Sequence, residues 1–90
     1  MKNTCRCALR DYMTKRLAKT RKEAGLTQAK FSEQLMMDTR SYAALEHGKS
    51  LCCTLTFIIY MARCCKDTDG LIRDLRQILQ DAQDNEMTAS

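Results

Sequence analysis

One short segment of the chain concentrates the residues that most often carry chemistry. The stretch LEHGKSLCCT, residues 45–54, holds the only histidine, His47, and the adjacent cysteines Cys52 and Cys53. Histidine and cysteine so close together could bind a metal ion or form a nucleophile activated by a base. The six cysteines of the chain form three close pairs: Cys5/Cys7, Cys52/Cys53 and Cys64/Cys65. No pair has the C-x-x-C spacing typical of zinc ligands, so no metal and no other cofactor is expected.

The position of the later cysteines favours packing over catalysis. Cys52 and Cys53 lead into the apolar run LTFIIYMA, residues 55–62, and Cys64 and Cys65 end it. Free cysteine is among the most buried residue types and behaves as a small hydrophobe. We therefore interpret these four as packing residues. A cysteine nucleophile with His47 as its base is the alternative, but no third group that would orient the histidine is evident, and an enzyme is the least expected class.

Length and charge limit the remaining classes. Ninety residues predict a single domain, with a core over about residues 9–83 and a frayed polar tail over 85–90. The run 55–62 is far shorter than the roughly 20 residues of a membrane span, and no secretory signal pattern is present. We therefore expect a cytoplasmic protein. Residues 1–25 carry eight Lys or Arg against two acids, residues 26–50 balance, and residues 51–90 carry four against six. This asymmetry is typical of a chain whose basic end meets a polyanion.

Apolar periodicity predicts five helices and no strand. The first helix runs from Leu9 to Ala24, Thr27 caps the second and Asp38 caps the third. Gly25 and Gly48 are placed to end the first and third helices. The fourth, residues 55–62, is apolar nearly all round and is expected to be the buried centre.

The fifth helix, capped by Asp67, has apolar residues on two flanks. Its inward residues are Leu71, Ile72, Leu75, Ile78, Leu79 and Ala82. One flank is enough to pack against a core, so the second is a candidate dimer seam. The alternative is that both flanks are buried within the small core.

The second and third helices are short and only about three residues separate them, which favours the helix-turn-helix arrangement. The stretch from Arg21 to Ser50 resembles the helix-turn-helix of the phage repressor and Cro class. The resemblance covers about residues 10–65. It is carried by Leu17, Arg21, Gly25, Leu26, Thr27, Gln28, Phe31, Leu35, Met37, Tyr42, Leu45, Glu46 and Gly48. It implies an all-α, five-helix, lambda-repressor-like bundle that binds double-stranded DNA, similar to small single-domain bacterial regulators.

The resemblance also implies site residues. The recognition helix would span about residues 39–47, and in this class the positions of Thr39, Arg40 and Ala44 point at base edges. Ser41 is a further outward residue and is included among the expected base readers, because its hydroxyl can bond either a base or a phosphate. The residues expected to meet DNA phosphate are Thr27, Gln28, Lys30, His47, Lys49 and Ser50; among them, His47 matches a position of the class that meets the sugar-phosphate backbone. Arg21 and Glu46 would form a structural ion pair between the first and third helices. A guanidinium can bond guanine O6 and N7 together, worth about 1–3 kcal/mol of discrimination, so Arg40 is the main candidate reader. The alternative places Arg40 on a phosphate.

Three positions depart from the pattern of that class. Met36 stands where the class usually has glycine, and a non-glycine residue in a left-handed turn costs about 1–2 kcal/mol. Lys30 replaces the glutamate that would complete a capping box with Thr27, which makes sense if Lys30 reaches a phosphate. Ser32 replaces a small apolar residue and needs a hydrogen-bond partner if it is buried.

These patterns predict a sequence-specific DNA-binding transcriptional regulator, associated with the nucleoid. Such proteins usually bind as two-fold dimers on half-sites about 34–36 Å apart. The predicted homodimer seam is on the fifth helix: Leu71, Ile72, Leu75, Ile78 and Leu79. Two alternatives remain open: a protein-interaction module of the antitoxin or adaptor kind, and a thiol- or metal-responsive regulator on the same fold. The basic residues of the first helix disfavour the interaction module: Lys15, Arg16, Lys19 and Lys22.

Overall fold

The computed structural model describes the backbone of residues 3–89 and the side chains of residues 6–84. Over that range the chain is all-α, as predicted, and has no β-strand. Its five α-helices are α1 (Asn3–Glu23), α2 (Gln28–Gln34), α3 (Thr39–Glu46), α4 (Thr54–Ile59) and α5 (Thr68–Ala89). A π-helical turn, Tyr60–Cys64, follows α4 directly. In the described part of the chain, no helix has the length and apolar character that a bilayer span requires.

The helices begin and end where the chain supplies caps and glycines. Thr27, Asp38 and Asp67 each accept a hydrogen bond from the backbone N–H three residues further on, at 3.0–3.1 Å. These bonds satisfy N–H groups that have no partner within their own helix. Gly25 and Gly48 have φ of +70° and +73°, the left-handed conformation that ends a helix at least cost in glycine. The short α2 and α3 are therefore separated by clear local signals.

One core joins the helices. Its buried hydrophobic side chains are Met13, Leu17, Phe31, Leu35, Tyr42, Leu45, Tyr60 and Leu71. Phe31 of α2 and Tyr42 of α3 meet edge to face, with ring centroids 5.3 Å apart and planes at 77°. Such a pair contributes about 0.5–1.5 kcal/mol beyond the area that it buries. This aromatic contact holds α2 against α3.

The prediction that residues 55–62 form the buried centre is wrong. Leu55 is 66% exposed and Ile58 is 55% exposed, whereas Thr56 and Tyr60 are the buried residues of this segment. Thr56 and Tyr60 lie four residues apart, so the segment presents one side to the core and its opposite side to solvent. Phe57, Ile59 and Met61 are half-buried against the core, so the core covers part of the segment and leaves Leu55 and Ile58 in solvent.

The long terminal helices differ from their predicted lengths. α1 begins at Asn3 instead of Leu9, although the side chains before residue 6 lie outside the described residues. α5 continues through Ala89, where the sequence predicted a frayed tail from residue 85. Side-chain hydrogen bonds between residues four apart support the backbone of α5 ahead of this end: Gln77 to Asp81 at 2.9 Å and Gln80 to Asp84 at 3.0 Å. Residue 90 lies outside the described residues.

Candidate nucleic-acid interface

A bidentate ion pair joins the end of α3 to α1. Arg21 donates from Nε to Oε2 of Glu46 and from Nη2 to Oε1, both at 2.8 Å. Its remaining nitrogen, Nη1, donates to the Leu26 carbonyl at 2.9 Å. The side chains of Arg21 and Glu46 are only 16% and 9% exposed. The predicted pairing of these two residues is therefore present, and it also fixes the loop that leads into α2.

The electrostatics of this pair keep it ionised. Burial alone would raise the pKa of Glu46, but the hydrogen bonds that it accepts, above all from Arg21, lower that pKa to about 2. Gln28 adds a weaker bond from Nε2 to Glu46 Oε1 at 3.4 Å. The bond to Glu46 in turn raises the pKa of Arg21. Because Gln28 opens α2 and Glu46 ends α3, this cluster also brings the start of α2 beside the end of α3.

A second connection between α1 and α3 was missed in the sequence. Thr14 Oγ1 donates at 2.8 Å to the carbonyl oxygen of Leu45 in the last turn of α3, which also accepts a bond from the Gly48 N–H at 3.1 Å. A signal for it existed, because Thr14 precedes Arg21 by seven residues and therefore lies two turns away on the same side of α1. Thr14 and Arg21 together hold α3 at two points.

Two of the three residues that depart from the class lie in or near the turn between α2 and α3: Met36 in the turn itself and Ser32 in α2. Met36 has φ of +58°, so it adopts the left-handed conformation in which a side chain is unfavourable. Ser32 is buried and its hydroxyl lies 2.7 Å from the Ala29 carbonyl and 3.3 Å from Thr39 Oγ1. The buried hydroxyl thus has the partners that it needs, and it links α2 to the first residue of α3.

The outer side of α3 carries the predicted base-reading residues. Thr39, Arg40 and Ser41 are exposed and Ala44 is half-buried. The Ser41 hydroxyl already uses its hydrogen-bond donor within the chain, because it donates to Asp38 Oδ1 at 2.7 Å. The bonds from Ser41 lower the pKa of Asp38, so a carboxylate stands beside the first turn of α3. Arg40 is exposed and forms no hydrogen bond or ion pair within the described residues, although its charge helps to lower the pKa of the neighbouring Asp38.

The residues predicted to meet phosphate fall into two groups. The first lies at the start of α2: Thr27, Gln28 and Lys30. The second follows α3: His47, Lys49 and Ser50. All are exposed except Gln28, which is half-buried and bonded to Glu46. The Gln28 contact places the two groups at neighbouring ends of α2 and α3.

Of the four basic residues of α1 that disfavour the interaction module, Arg16 differs from the three lysines. Lys15, Lys19 and Lys22 are exposed, whereas Arg16 turns towards α5. The Arg16 guanidinium donates to the Tyr12 hydroxyl at 2.9 Å, to the Asp67 carbonyl at 3.1 Å and to the Tyr60 hydroxyl at 3.3 Å. It also lies 3.6 Å from the carboxylate of Asp74. Arg16 is therefore a structural residue that ties α1 to the start of α5, a role that charge counting does not reveal.

The cysteines serve two different roles. Cys52, Cys64 and Cys65 are half-buried against the core, in line with their interpretation as packing residues. Cys53 is exposed, so the packing interpretation is wrong for it. Its sulfur instead caps α4 by accepting a bond from the Thr56 N–H at 3.5 Å, because a side chain at this position turns back towards the first helical turn. The bonds with Thr56 lower the pKa of Cys53, whereas burial raises that of Cys52 to about 11. Cys5 lies outside the residues with described side chains.

The segment of residues 45–54, which holds His47 and Cys53, therefore ends α3 and begins α4. His47 is the C-terminal cap residue of α3 and is exposed, and Cys53 caps α4. Among the side chains that the structure describes, no three or more His, Cys, Asp and Glu residues are grouped to hold a metal ion.

Comparison of the chain with protein-family models, curated proteins and solved structures finds no match. Its function has to be inferred from its own residues.

Proposed function

We propose that this protein binds double-stranded DNA through α3 and regulates transcription. In this proposal α2 and α3 form the helix-turn-helix of a lambda-repressor-like domain, and α3 is the recognition helix. The supporting observation is the division of α3 into two sides: Tyr42 and Leu45 are buried, while Thr39 and Arg40 face solvent. A helix held from behind, with polar side chains outward, can enter the major groove.

The proposed contacts divide into reading and positioning. Arg40 is the main base reader, because the hydroxyls of its neighbours Thr39 and Ser41 already bond Ser32 and Asp38. A single guanidinium reader is expected to specify a short motif containing guanine. The positioning contacts are the exposed residues at the adjoining ends of α2 and α3, with Lys30 and Lys49 supplying charge. The protein would act on chromosomal DNA in the cytoplasm.

The experiment is selection of bound sequences from random duplexes with wild type, Arg40→Ala and Arg73→Ala. Arg73 is an exposed arginine of α5 and serves as the matched control for loss of one positive charge. We expect Arg73→Ala to select the wild-type motif and Arg40→Ala to lose a guanine preference. An unchanged motif at uniformly lower affinity for Arg40→Ala would place Arg40 on phosphate instead.

A second candidate function is that of a protein-interaction module. The observation that favours it is the exposed apolar pair Leu55 and Ile58 on α4. Salt dependence separates the two functions, because the logarithm of a DNA affinity falls by about 0.9 per phosphate contact for each tenfold rise in salt. The absence of duplex binding at low salt would favour the interaction module.

A further inference from the structure

A cavity of about 680 Å³ opens between α1, α2 and the π-helical turn Tyr60–Cys64. It is lined by parts of three segments, residues 16–26, 31–34 and 60–67, and we call it the π-turn cavity. Its volume is within the range of small-molecule sites, about 300–1,000 Å³. Helical turns of the π type are rare and often occur at functional sites. The volume and the unusual turn together make this cavity the leading candidate for a ligand site.

The π-turn cavity lies on the opposite side of α1 from α3. Thr14 and Arg21, which bond α3, are seven residues apart and share one side of α1. Arg16, Lys19 and Glu23 line the cavity, and at about 100° per residue they lie roughly 150–170° around α1 from that side. None of the residues predicted to contact DNA is among those that line the cavity. The cavity is therefore separate from the surface proposed to bind DNA.

The walls of the π-turn cavity carry positive charge. They contain four basic side chains and two acids: Arg16, Lys19, Arg63 and Lys66, with Glu23 and Asp67. The Asp67 carboxylate is already engaged, because its Oδ1 accepts the Gly70 N–H at 3.0 Å. Lys19 and Lys66 are exposed, and within the described residues neither forms a hydrogen bond or an ion pair. The walls therefore have a net charge of +2 and two ammonium groups that an anion can approach.

Arg63 is positioned to bind an anion through one edge of its guanidinium. Its Nη1 donates to the Gln34 carbonyl at 3.1 Å, in the last turn of α2. Cys64 Sγ lies 3.7 Å from Gln34 Oε1, which is a second contact between the π-helical turn and α2. Among the described residues, Nε and Nη2 of Arg63 have no hydrogen-bond partner. These two groups can together bond two oxygens of one phosphate, the bidentate geometry that arginine favours.

We propose that the π-turn cavity binds a phosphate monoester of a small organic molecule. Such a group carries a charge of about −1.5 to −2 at pH 7, which matches the net charge of +2 on the walls. Leu26 and Cys64 are half-buried and supply apolar surface beside the basic groups, and the buried rings of Phe31 and Tyr60 also line the cavity. Inorganic phosphate would meet the charge but leave this apolar surface in water. An organic body attached to the phosphate covers it.

The surface of α5, where the sequence predicted a dimer seam, offers no comparable site. Leu71 is fully buried, and Leu75 packs against the core. Ile72 and Ile78 are half-buried, and Leu79 is the one residue of that seam that is largely exposed, at 47%. A groove of about 470 Å³ on α5 is lined by residues of that helix alone. A ligand there would be held from one side only, whereas the π-turn cavity surrounds its ligand with three segments of the chain.

The test is an NMR titration of the isotope-labelled full chain without DNA, using phenyl phosphate and adenosine monophosphate as the two esters. Phenol and adenosine lack the phosphate, and inorganic phosphate lacks the organic body, so these three are the comparison ligands at equal ionic strength. We expect the esters to shift amide signals of residues 19–26 and 60–67. Each ester is expected to bind at least about tenfold more tightly than its phosphate-free counterpart or inorganic phosphate.

Two pairs of variants locate the site. Arg63→Gln is compared with Arg73→Gln, which changes an exposed arginine of α5 outside the cavity. Lys19→Gln is compared with Lys22→Gln, which changes an exposed lysine of the same helix outside the cavity. We expect the ester dissociation constant to rise at least about tenfold for Arg63→Gln and about twofold to fivefold for Lys19→Gln, with both controls at the wild-type value. The spectra also show whether each variant folds, and Lys19→Gln removes no described bond within the chain.

Several results would overturn the proposal. Esters that bind no more tightly than inorganic phosphate would show general anion attraction only. Equal ester affinities for each variant and its control would remove Arg63 and Lys19 from the site, and shifts confined to α3 and the start of α2 would place the anion on the residues predicted to meet DNA. Displacement of the ester by a short duplex would assign the cavity to DNA phosphate. Because every other measurement omits DNA, a failure of the proposed DNA function does not affect them.

Discussion

Replacing Glu46 with glutamine tests the pair that holds α3 against α1. The change keeps the size of the side chain and removes its charge, leaving the Arg21 guanidinium largely buried beside a neutral amide. The pKa of Glu46 is lowered from 4.5 to about 2. Since each pKa unit corresponds to 1.36 kcal/mol, ionisation of Glu46 in its folded surroundings, where Arg21 is the main hydrogen-bond donor, contributes about 3 kcal/mol to the stability of the fold. Removing one partner of a buried pair typically costs about 3–5 kcal/mol, so two independent arguments agree.

The stabilisation by this pair should depend on pH in a defined direction. Because folding lowers the pKa of Glu46, its contribution is fully present above about pH 4.5 and is lost as the pH falls towards 2. The stability difference between wild type and Glu46→Gln should therefore stay near its maximum from neutral pH to about pH 5. It should shrink to less than about 1 kcal/mol near pH 2, because the wild-type carboxyl is then almost fully protonated in the unfolded state and about half protonated in the folded state.

The assay is urea unfolding followed by circular dichroism at a series of pH values, with thermal unfolding at neutral pH. A loss of about 3 kcal/mol corresponds to a fall in Tm of roughly 12–24 °C for a domain of this size. Glu33→Gln is the control, because Glu33 is an exposed acid of α2. This variant has the same net charge as Glu46→Gln. We expect that control to lie within about 0.5 kcal/mol of wild type. A difference below about 1 kcal/mol at pH 6, or one that does not change down to pH 2, would refute the reasoning.

Three further substitutions or treatments have defined outcomes. Met36→Gly should raise the free energy of unfolding by about 1 kcal/mol in urea titrations, because φ is +58° and the side chain is 72% exposed; a loss of stability would show that the Met36 side chain contributes packing. Thr27→Ala should lower the same quantity by about 1 kcal/mol, because it removes the cap on the Lys30 N–H, and an unchanged midpoint would count against the cap. Iodoacetamide should modify Cys53 at least about ten times faster than Cys52, since their pKa values shift in opposite directions; fragment mass spectrometry measures this ratio, and equal rates would contradict it.

The features of this fold that the sequence could predict depend on interactions between residues close together in the chain. Thr27, Asp38 and Asp67 cap helices because their side-chain oxygens reach a backbone N–H three residues on, and this requires no distant part of the chain. Gly25 likewise ends α1 through its own backbone freedom. Periodicity placed Tyr42 on the buried side of α3, and therefore placed Arg40 on the exposed side. Family resemblance, and not spacing, suggested that Arg21 meets Glu46.

Several functional details depend on side-chain hydrogen bonds that polarity and periodicity do not reveal, some within one helical turn and some between residues distant in sequence. Ser41 and Gln28 are polar and were predicted to meet DNA, but the fold has already engaged the Ser41 hydroxyl with Asp38 and the Gln28 amide with Glu46. Arg16 could not be distinguished from its basic neighbours in the sequence. Its inward position depends on Tyr60, which lies 44 residues away.

The sequence by itself determined where the short helices α2 and α3 begin and end and which side of α3 is polar, because these properties follow from residues within one or two turns of each other. The tertiary structure alone decided which apolar surfaces are covered. The apolar composition of residues 55–62 predicted a buried central helix. Leu55 and Ile58 nevertheless face solvent, because Thr56 and Tyr60 occupy the side that meets the core. Apolar composition indicates that a helix can be buried, but the number and placement of neighbouring helices determine how much of it is.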